Sequence, residues 1–172
     1  VDVPMVFDWP KALPVITELA PLRSIIRNMY ADKGLPLVLV MPPAVCFPTP
    51  VVDQLPDDVP MTILTMHMPR AYAPRPNIKW VSVFFSHAER EMAKAGNVSA
   101  YDINFSDVWW HFLAASPDLL ITQATAPLAD GTRSLGPNCD YTLELIEYGV
   151  PTYVVENDNM PACQGNHFTG NV

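Results

Sequence analysis

Apolar residues along this chain fall in short runs of five to seven, separated by polar or Pro-containing stretches. The runs at 35–41 (Leu-Pro-Leu-Val-Leu-Val-Met), 61–66 (Met-Thr-Ile-Leu-Thr-Met), 80–85 (Trp-Val-Ser-Val-Phe-Phe), 118–122 (Asp-Leu-Leu-Ile-Thr) and 151–155 (Pro-Thr-Tyr-Val-Val) are β-branched or aromatic in character, which predicts strands. Helical patterns separate most of them, at 86–95, 106–115 and 141–148. From Pro10 to Ala31, the positions Leu13, Ile16, Leu19, Leu22, Ile25, Ile26 and Met29 recur at helical spacing. Pro14 and Pro21 are expected to break or kink that run and Gly34 follows it, so one or two amphipathic helices are predicted. The resulting order is βαβα, with near-continuous apolar strands. That pattern predicts an α/β fold of Rossmann-like type: a mainly parallel sheet with helices on both faces and right-handed crossovers. Ligands of such sheets sit outside the carboxyl ends of the strands, so the loops that leave strands carry the information about function.

Composition narrows the picture. With 172 residues, 49% of them hydrophobic, the chain suits one domain spanning 1–172; a domain of this size buries about 70% of the surface its unfolded form exposes. No apolar stretch approaches the ~18 residues that a membrane helix needs. Val1 to Trp9 lack the basic-then-apolar pattern of a signal peptide, so a cytoplasmic location is expected. Eighteen acidic against ten basic residues give a net charge of −8, and the Lys and Arg residues are scattered, which argues against nucleic acid as a partner. Cys46, Cys139 and Cys163 are odd in number and far apart, so free thiols are expected instead of disulfides or a zinc site. The nineteen prolines are spread along the chain beside apolar runs, as residues that punctuate loops.

Three strand exits offer chemistry. The segment from Gln123 to Cys139 is long for a strand-to-helix connection, and long loops in compact domains tend to be functional. Gly131 and Gly136 permit backbone closed to other residues, and Asn138 or Asp140 suits the cap of the helix near Tyr141, whose first N–H groups face outward. The segment from Glu156 to His167 carries a dense set of amides and carboxylates able to orient a polar acyl group. Glu156, directly after an apolar run, is a candidate nucleophile or base, or an ordinary capping carboxylate. The third exit, Pro42 to Pro50, holds Cys46 in an apolar setting without an adjoining His or basic residue, which reads as an inert buried thiol. His67, His87, His111 and His167 lack the paired spacing of a zinc helix, so no metal is expected, and neither a dinucleotide glycine fingerprint nor a phosphate-binding loop nor Gly-x-Ser-x-Gly is present. Trp109 and Trp110, with Phe112 nearby, suit stacking on an adenine or the filling of a core.

The segment from Asp118 to Gly165 reads as a strand, a Pro-containing loop, Ser134-Leu135-Gly136, Asp140-Tyr141-Thr142, a helix, a strand, and Asn157-Asp158-Asn159-Met160-Pro161 followed by Gly165. Upstream, Phe84-Phe85, Arg90, Gly96, Tyr101, Phe105-Ser106 and Phe112 extend the same series. Over about Trp80 to Gly165, half the chain, this resembles the amino-terminal domain of the acetyl-CoA hydrolase/transferase family, the coenzyme A transferases. The resemblance fades before that: the family has a Gly-rich turn after its first strand, whereas this chain has no glycine between Gly34 and Gly96.

The resemblance implies transfer of coenzyme A between an acyl-CoA thioester and a small carboxylic acid, through a glutamyl-CoA thioester. Coenzyme A is then a substrate, and covalent catalysis divides a difficult exchange into two steps. In the family the glutamate lies in a second, carboxyl-terminal α/β domain, which is expected to be a partner of this chain because the sequence stops at Val172 before it. Gln123, Ser134, Leu135, Gly136, Asn138, Asn157, Met160 and Gly165 are the positions expected to line one wall of the cleft. Two other readings stand beside this one: a stand-alone module that binds coenzyme A or a small acid, and an acyl-CoA hydrolase using Glu156. Homo-oligomerisation is left open.

Overall fold

The computed structural model describes residues 20–138 and 140–169, and six parallel strands set its architecture. In chain order the elements are α1 (Ala20–Lys33), β1 (Leu37–Val40), α2 (Thr49–Val52), β2 (Met61–Thr65), β3 (Ile78–Ser82), α3 (His87–Lys94), β4 (Val98–Ala100), α4 (Val108–Ala114), β5 (Leu119–Ala124), β6 (Thr132–Ser134), α5 (Thr142–Glu147), β7 (Thr152–Glu156) and β8 (His167–Thr169). The sheet runs β4-β3-β2-β1-β5-β7, every pair parallel. Chain order therefore grows outward from β1 in one direction, then restarts with β5 on its other side.

The near-continuous apolar strands are explained by this burial on two faces. Leu39 and Ile63 pair and point into one core with Leu37, Met61, Trp80 and Ile121, beneath Leu22 and Ile26 of α1, Val51 and Val52 of α2 and Met92 of α3. Val40 and Leu64 pair one residue later and point into the other core with Leu120 and Val154, beneath Val108 and Phe112 of α4 and Leu145 and Ile146 of α5. Side chains alternate across a strand, so a row of paired residues lands on the same face. The α/β class expected from the sequence is the fold observed. No helix among the described residues is long and apolar enough to cross a membrane.

Several boundaries differ from the sequence expectation, each for a local reason. Residues 10–19 of the first expected helix lie outside the described residues, and Pro21 sits in the opening turn of α1 instead of breaking it. A first-turn residue has no intrahelical acceptor for an N–H, so proline costs nothing there. The third strand begins at Ile78 and ends at Ser82, not Phe85, because the Ser82 hydroxyl meets the carbonyls of Phe84 (2.9 Å) and Met66 (3.2 Å) and turns the chain outward. The fourth expected strand runs on through Gln123 and Ala124, and the fifth through Glu156. The long segment after β5 is not free loop: it contains β6, which pairs antiparallel with β8 in a separate two-stranded ribbon.

Two side chains fasten β1 to its neighbours. Asp118 accepts from the Val38 amide (2.7 Å) and from Lys33 Nζ (2.6 Å), fixing the start of β5 against β1. At the other end, the buried Tyr141 hydroxyl donates to the Met41 carbonyl (2.8 Å), just past β1. Burial, with the nearby charge of Asp140, holds the phenol well above its usual titration range, so it remains a donor at all moderate pH. Tyr141→Phe strands that carbonyl without changing volume and should cost ~1–2 kcal/mol in urea unfolding, with an unchanged denaturant slope.

Candidate functional site

The strand order reverses between β1 and β5, and such a switch point opens a crevice at the carboxyl ends. The first loop there leaves β1 as Met41-Pro42-Pro43-Ala44. Ala44 adopts φ +52, a left-handed conformation that costs a residue with a Cβ free energy, and its carbonyl accepts from the Phe47 amide (3.2 Å) in a tight 3-10 turn. Two buried prolines before it restrict the backbone that enters the turn. The turn thus keeps the shape a glycine would give without the glycine's freedom.

Gln123, the penultimate residue of β5, joins three exits. Its Nε2 donates to Phe47 O (2.5 Å) in the β1 loop, while its Oε1 accepts from Asn157 Nδ2 (3.0 Å) beyond β7. The Asn157 amide itself donates to Ala124 O (2.9 Å), extending the ladder one step past β7.

The Ser134 hydroxyl ties the segments after β5 and β7 to each other. Its Oγ accepts from the amides of Gly136 (3.1 Å) and Cys163 (3.1 Å) and donates to Cys163 O (3.2 Å). Leu135 N adds a bond to Asn166 O (2.9 Å), and Asn166 Nδ2 donates to Asn138 O. Gly136, at φ +64, lies so close to Met160 that a Cβ would overlap the thioether and stand 3.3 Å from Pro161 O. Beneath this ledge Arg133, 3% exposed, donates to Thr125 O (2.9 Å) and to Glu156 Oε1 (2.6 Å). The Glu156 carboxylate is therefore engaged in an ion pair at the base of the ledge.

The exits enclose a cavity of about 410 Å³ lined by Pro43 and Ala44 after β1, Met66 and His67 after β2, Phe84 after β3, Phe105 before α4, and Asn138 and Asp140 before α5. Its walls are mostly apolar. Asp140 is the acidic group among them: it accepts from the Thr142 amide (2.8 Å), the Thr142 hydroxyl and Asn138 Nδ2, capping the approach to α5. Burial pushes its carboxyl up, against the pull of those bonds. Behind the cavity, the Cys46 thiol donates to Leu135 O (3.1 Å), and burial, then the Asp140 charge, pushes it up to about 12.

Of the positions expected to line the cleft, Asn138 faces this cavity. Gln123 and Asn157 meet each other at the strand exits, and Gly165 is exposed, at φ +99, outside the cavity lining. Ser134, Leu135 and Met160 are buried, with Gly136 closed over by Met160, so the structure places them in the ledge behind the opening. Met66, His67, Phe84 and Phe105 were not among the candidates; the rule that pointed to exits of β5 and β7 applies equally to β2 and β3, and it locates three of the four. Phe112 belongs to the core, while Trp110 is 48% exposed and stacks at the edge of Trp109 (5.5 Å). No group of three metal-binding side chains converges among the described residues.

No family model matches this sequence, and no curated protein matches it. Solved structures do. RipA from Yersinia pestis is similar over 84% of this chain and 41% of its own, at 18% identity and a TM-score of 0.68. A 4-hydroxybutyrate CoA-transferase from Porphyromonas gingivalis is similar over 87% of this chain and 38% of its own, at 19% identity and a TM-score of 0.51. The chain thus shares its α/β fold with part of these proteins and spans about two fifths of their length.

Two results should follow from this geometry. Gly136→Ala must both displace Met160 and hold a Cβ at positive φ, and is expected to cost ~2–4 kcal/mol by thermal or denaturant unfolding, whereas Gly131→Ala, at φ +78 in open space, should cost ~1 kcal/mol. Iodoacetamide at pH 8 should leave Cys46 unmodified in the folded protein, since with a thiol raised to about 12 only about one in ten thousand is ionised; peptide mass mapping after brief labelling checks this.

Proposed function

We propose that this chain is the substrate-side α/β domain of an acyl-CoA:carboxylate coenzyme A transferase of the acetyl-CoA hydrolase/transferase kind. In this reading the 410 Å³ cavity receives the acyl end of the thioester. The ledge of Ser134 to Asn138 and Asn157 to Gly165 supports it from behind, with Asn138 facing the cavity. A glutamate from a carboxyl-terminal domain attacks the thioester carbonyl and carries coenzyme A between two acids. Displacing coenzyme A from carbon to carbon by this route needs a site that positions the thioester without reacting with it. The observation that carries the reading is the joining of both resemblance-bearing segments by the Ser134 hydroxyl, beside a cavity at the carboxyl ends of the strands.

Glu156 favours a structural role over attack. Its carboxylate is clamped at 2.6 Å by a buried arginine, and a carboxylate stabilised in this way is a weaker nucleophile. Its partner Arg133 holds the start of the ledge at the same time.

Exchange of label between acetyl-CoA and acetate should appear when the chain is mixed with a carboxyl-terminal coenzyme A transferase half, and be absent from the chain alone. Exchange in neither mixture counts against the reading. Coenzyme A binding by calorimetry without exchange in either would instead identify a stand-alone binding module, and hydrolysis abolished by Glu156→Gln would identify the hydrolase.

A further inference from the structure

His67 stands at the exit of β2, on the wall shared by the 410 Å³ cavity and an adjoining open depression lined by Arg70, Ser86 and His87. Its ring is 39% exposed, yet its Nδ1 is buried and has no hydrogen bond. A buried polar atom left without a partner is uncommon and calls for an explanation. The nearest charged group to it is Glu89 Oε1, at 3.8 Å.

Glu89 is hydrogen-bonded through both carboxylate oxygens. The carboxylate is fully buried, with Oε1 accepting from Met68 N (2.5 Å) and Oε2 from Ser86 N (3.0 Å) and the Ser86 hydroxyl. The bond from Ser86 N belongs to the capping box of α3, and the bond from Met68 N ties the other oxygen to the segment after β2, so both ends of the carboxylate are held. On the other side, Phe84 meets the imidazole edge-on at a centroid distance of 6.0 Å. An imidazole whose inner nitrogen faces a fixed carboxylate and whose outer edge faces a cleft has the arrangement of a base oriented by a third group. Such contacts are often long until substrate binds and tighten then.

We infer that His67 is a proton-transfer residue of this cleft, oriented by Glu89, that gives a proton to the coenzyme A sulfur as the thioester opens and takes it back as the thioester re-forms. The inference rests on the transferase reading above. A protein carboxylate from outside the described residues adds to the thioester carbonyl, and the C–S bond breaks with its electron pair on sulfur. The proton on His67 Nε2 passes to that sulfur, leaving an acyl-carboxylate anhydride, a thiol and an imidazole protonated at Nδ1 alone. In the return step the thiol gives its proton back to Nε2 as sulfur attacks the protein-side carbonyl of the anhydride, and the acid leaves as a carboxylate. Nothing is oxidised or reduced. A free thiolate is thereby avoided in a cavity whose walls are mostly apolar and hold an acidic group.

The test reads the imidazole directly. In the chain labelled with ¹⁵N-histidine and mixed with a carboxyl-terminal transferase half, acetyl-CoA should shift the Nε2 resonance of His67 and leave that of His111 in place. His67→Gln should lower kcat of exchange by ~10²–10⁴-fold, the usual range for loss of a positioned proton donor, with KM for acetyl-CoA nearly unchanged. Glu89→Gln should move the Nδ1 resonance of His67; an unmoved resonance would overturn the pairing. Acetyl-CoA binding without any change at His67, or His67→Gln with an unaltered kcat or with an effect confined to KM, overturns the inference and leaves the transferase reading standing. Absence of acetyl-CoA binding in the wild-type mixture overturns both.

Discussion

Where two parallel strands part company, the backbone groups that would have continued their ladder need other partners, and this requirement organises the functional end of the molecule. β1 and β5 pair through Leu39 with Leu119 and Val40 with Leu120, so β1 ends where β5 begins and the last four residues of β5 run on past it. The gap is spanned by side chains. Gln123 satisfies a carbonyl of the β1 loop with one end of its amide and Asn157 with the other, and Tyr141 reaches back to Met41 O from the start of α5. Replacing any of these by an apolar residue would leave a buried carbonyl unpaired, and the crevice would lose the fixed spacing of its walls. Three polar side chains therefore tie the strand exits to one another.

The same logic explains the ledge. A polypeptide that leaves β5, forms β6 and returns past β7 must satisfy many backbone groups away from the main sheet. Ser134 does so for two amides and a carbonyl through a single oxygen, which is why a small hydroxyl residue suits that position. Gly136 follows for a steric reason, since Met160 occupies the space that a side chain would need. Ser134, Leu135 and Gly136 therefore act by holding shape. Asn138 is the one member of the series that faces the cavity.

Much of this was legible in the sequence, and the part that was not has physical causes. Five strands of the main sheet are apolar runs because both faces are covered, and such runs announce themselves. The sixth, β4, is Val98-Ser99-Ala100 at the sheet edge, with two exposed residues and no periodic signal. β6 was hidden for a different reason: Thr132-Arg133-Ser134 is polar because its partners are Asp130, Thr125, Glu156 and Cys163, not a core. The site was legible only where motif residues are also cleft residues, as at Asn138. His67 was weighed as a metal ligand, and sequence spacing cannot reveal that Glu89, 22 positions later, is held against it by a helix cap.

The turn after β1 reaches a left-handed conformation without a glycine. Where the resembling family has glycines, this chain has Pro42, Pro43 and then Ala44 at φ +52. A Cβ in that region costs ~1 kcal/mol or somewhat more, and the flanking prolines offset part of the cost by removing alternatives from the unfolded chain. The consequence is a stiffer wall. Glycine would allow the turn to adjust around a ligand, whereas an alanine held in a left-handed conformation between prolines and a 3-10 turn fixes the Ala44 side of the cavity before anything binds. Elsewhere on the cavity wall, Phe84 and Phe105 are 58% and 62% exposed. The cavity thus joins a wall fixed by the backbone at Ala44 to an exposed aromatic edge.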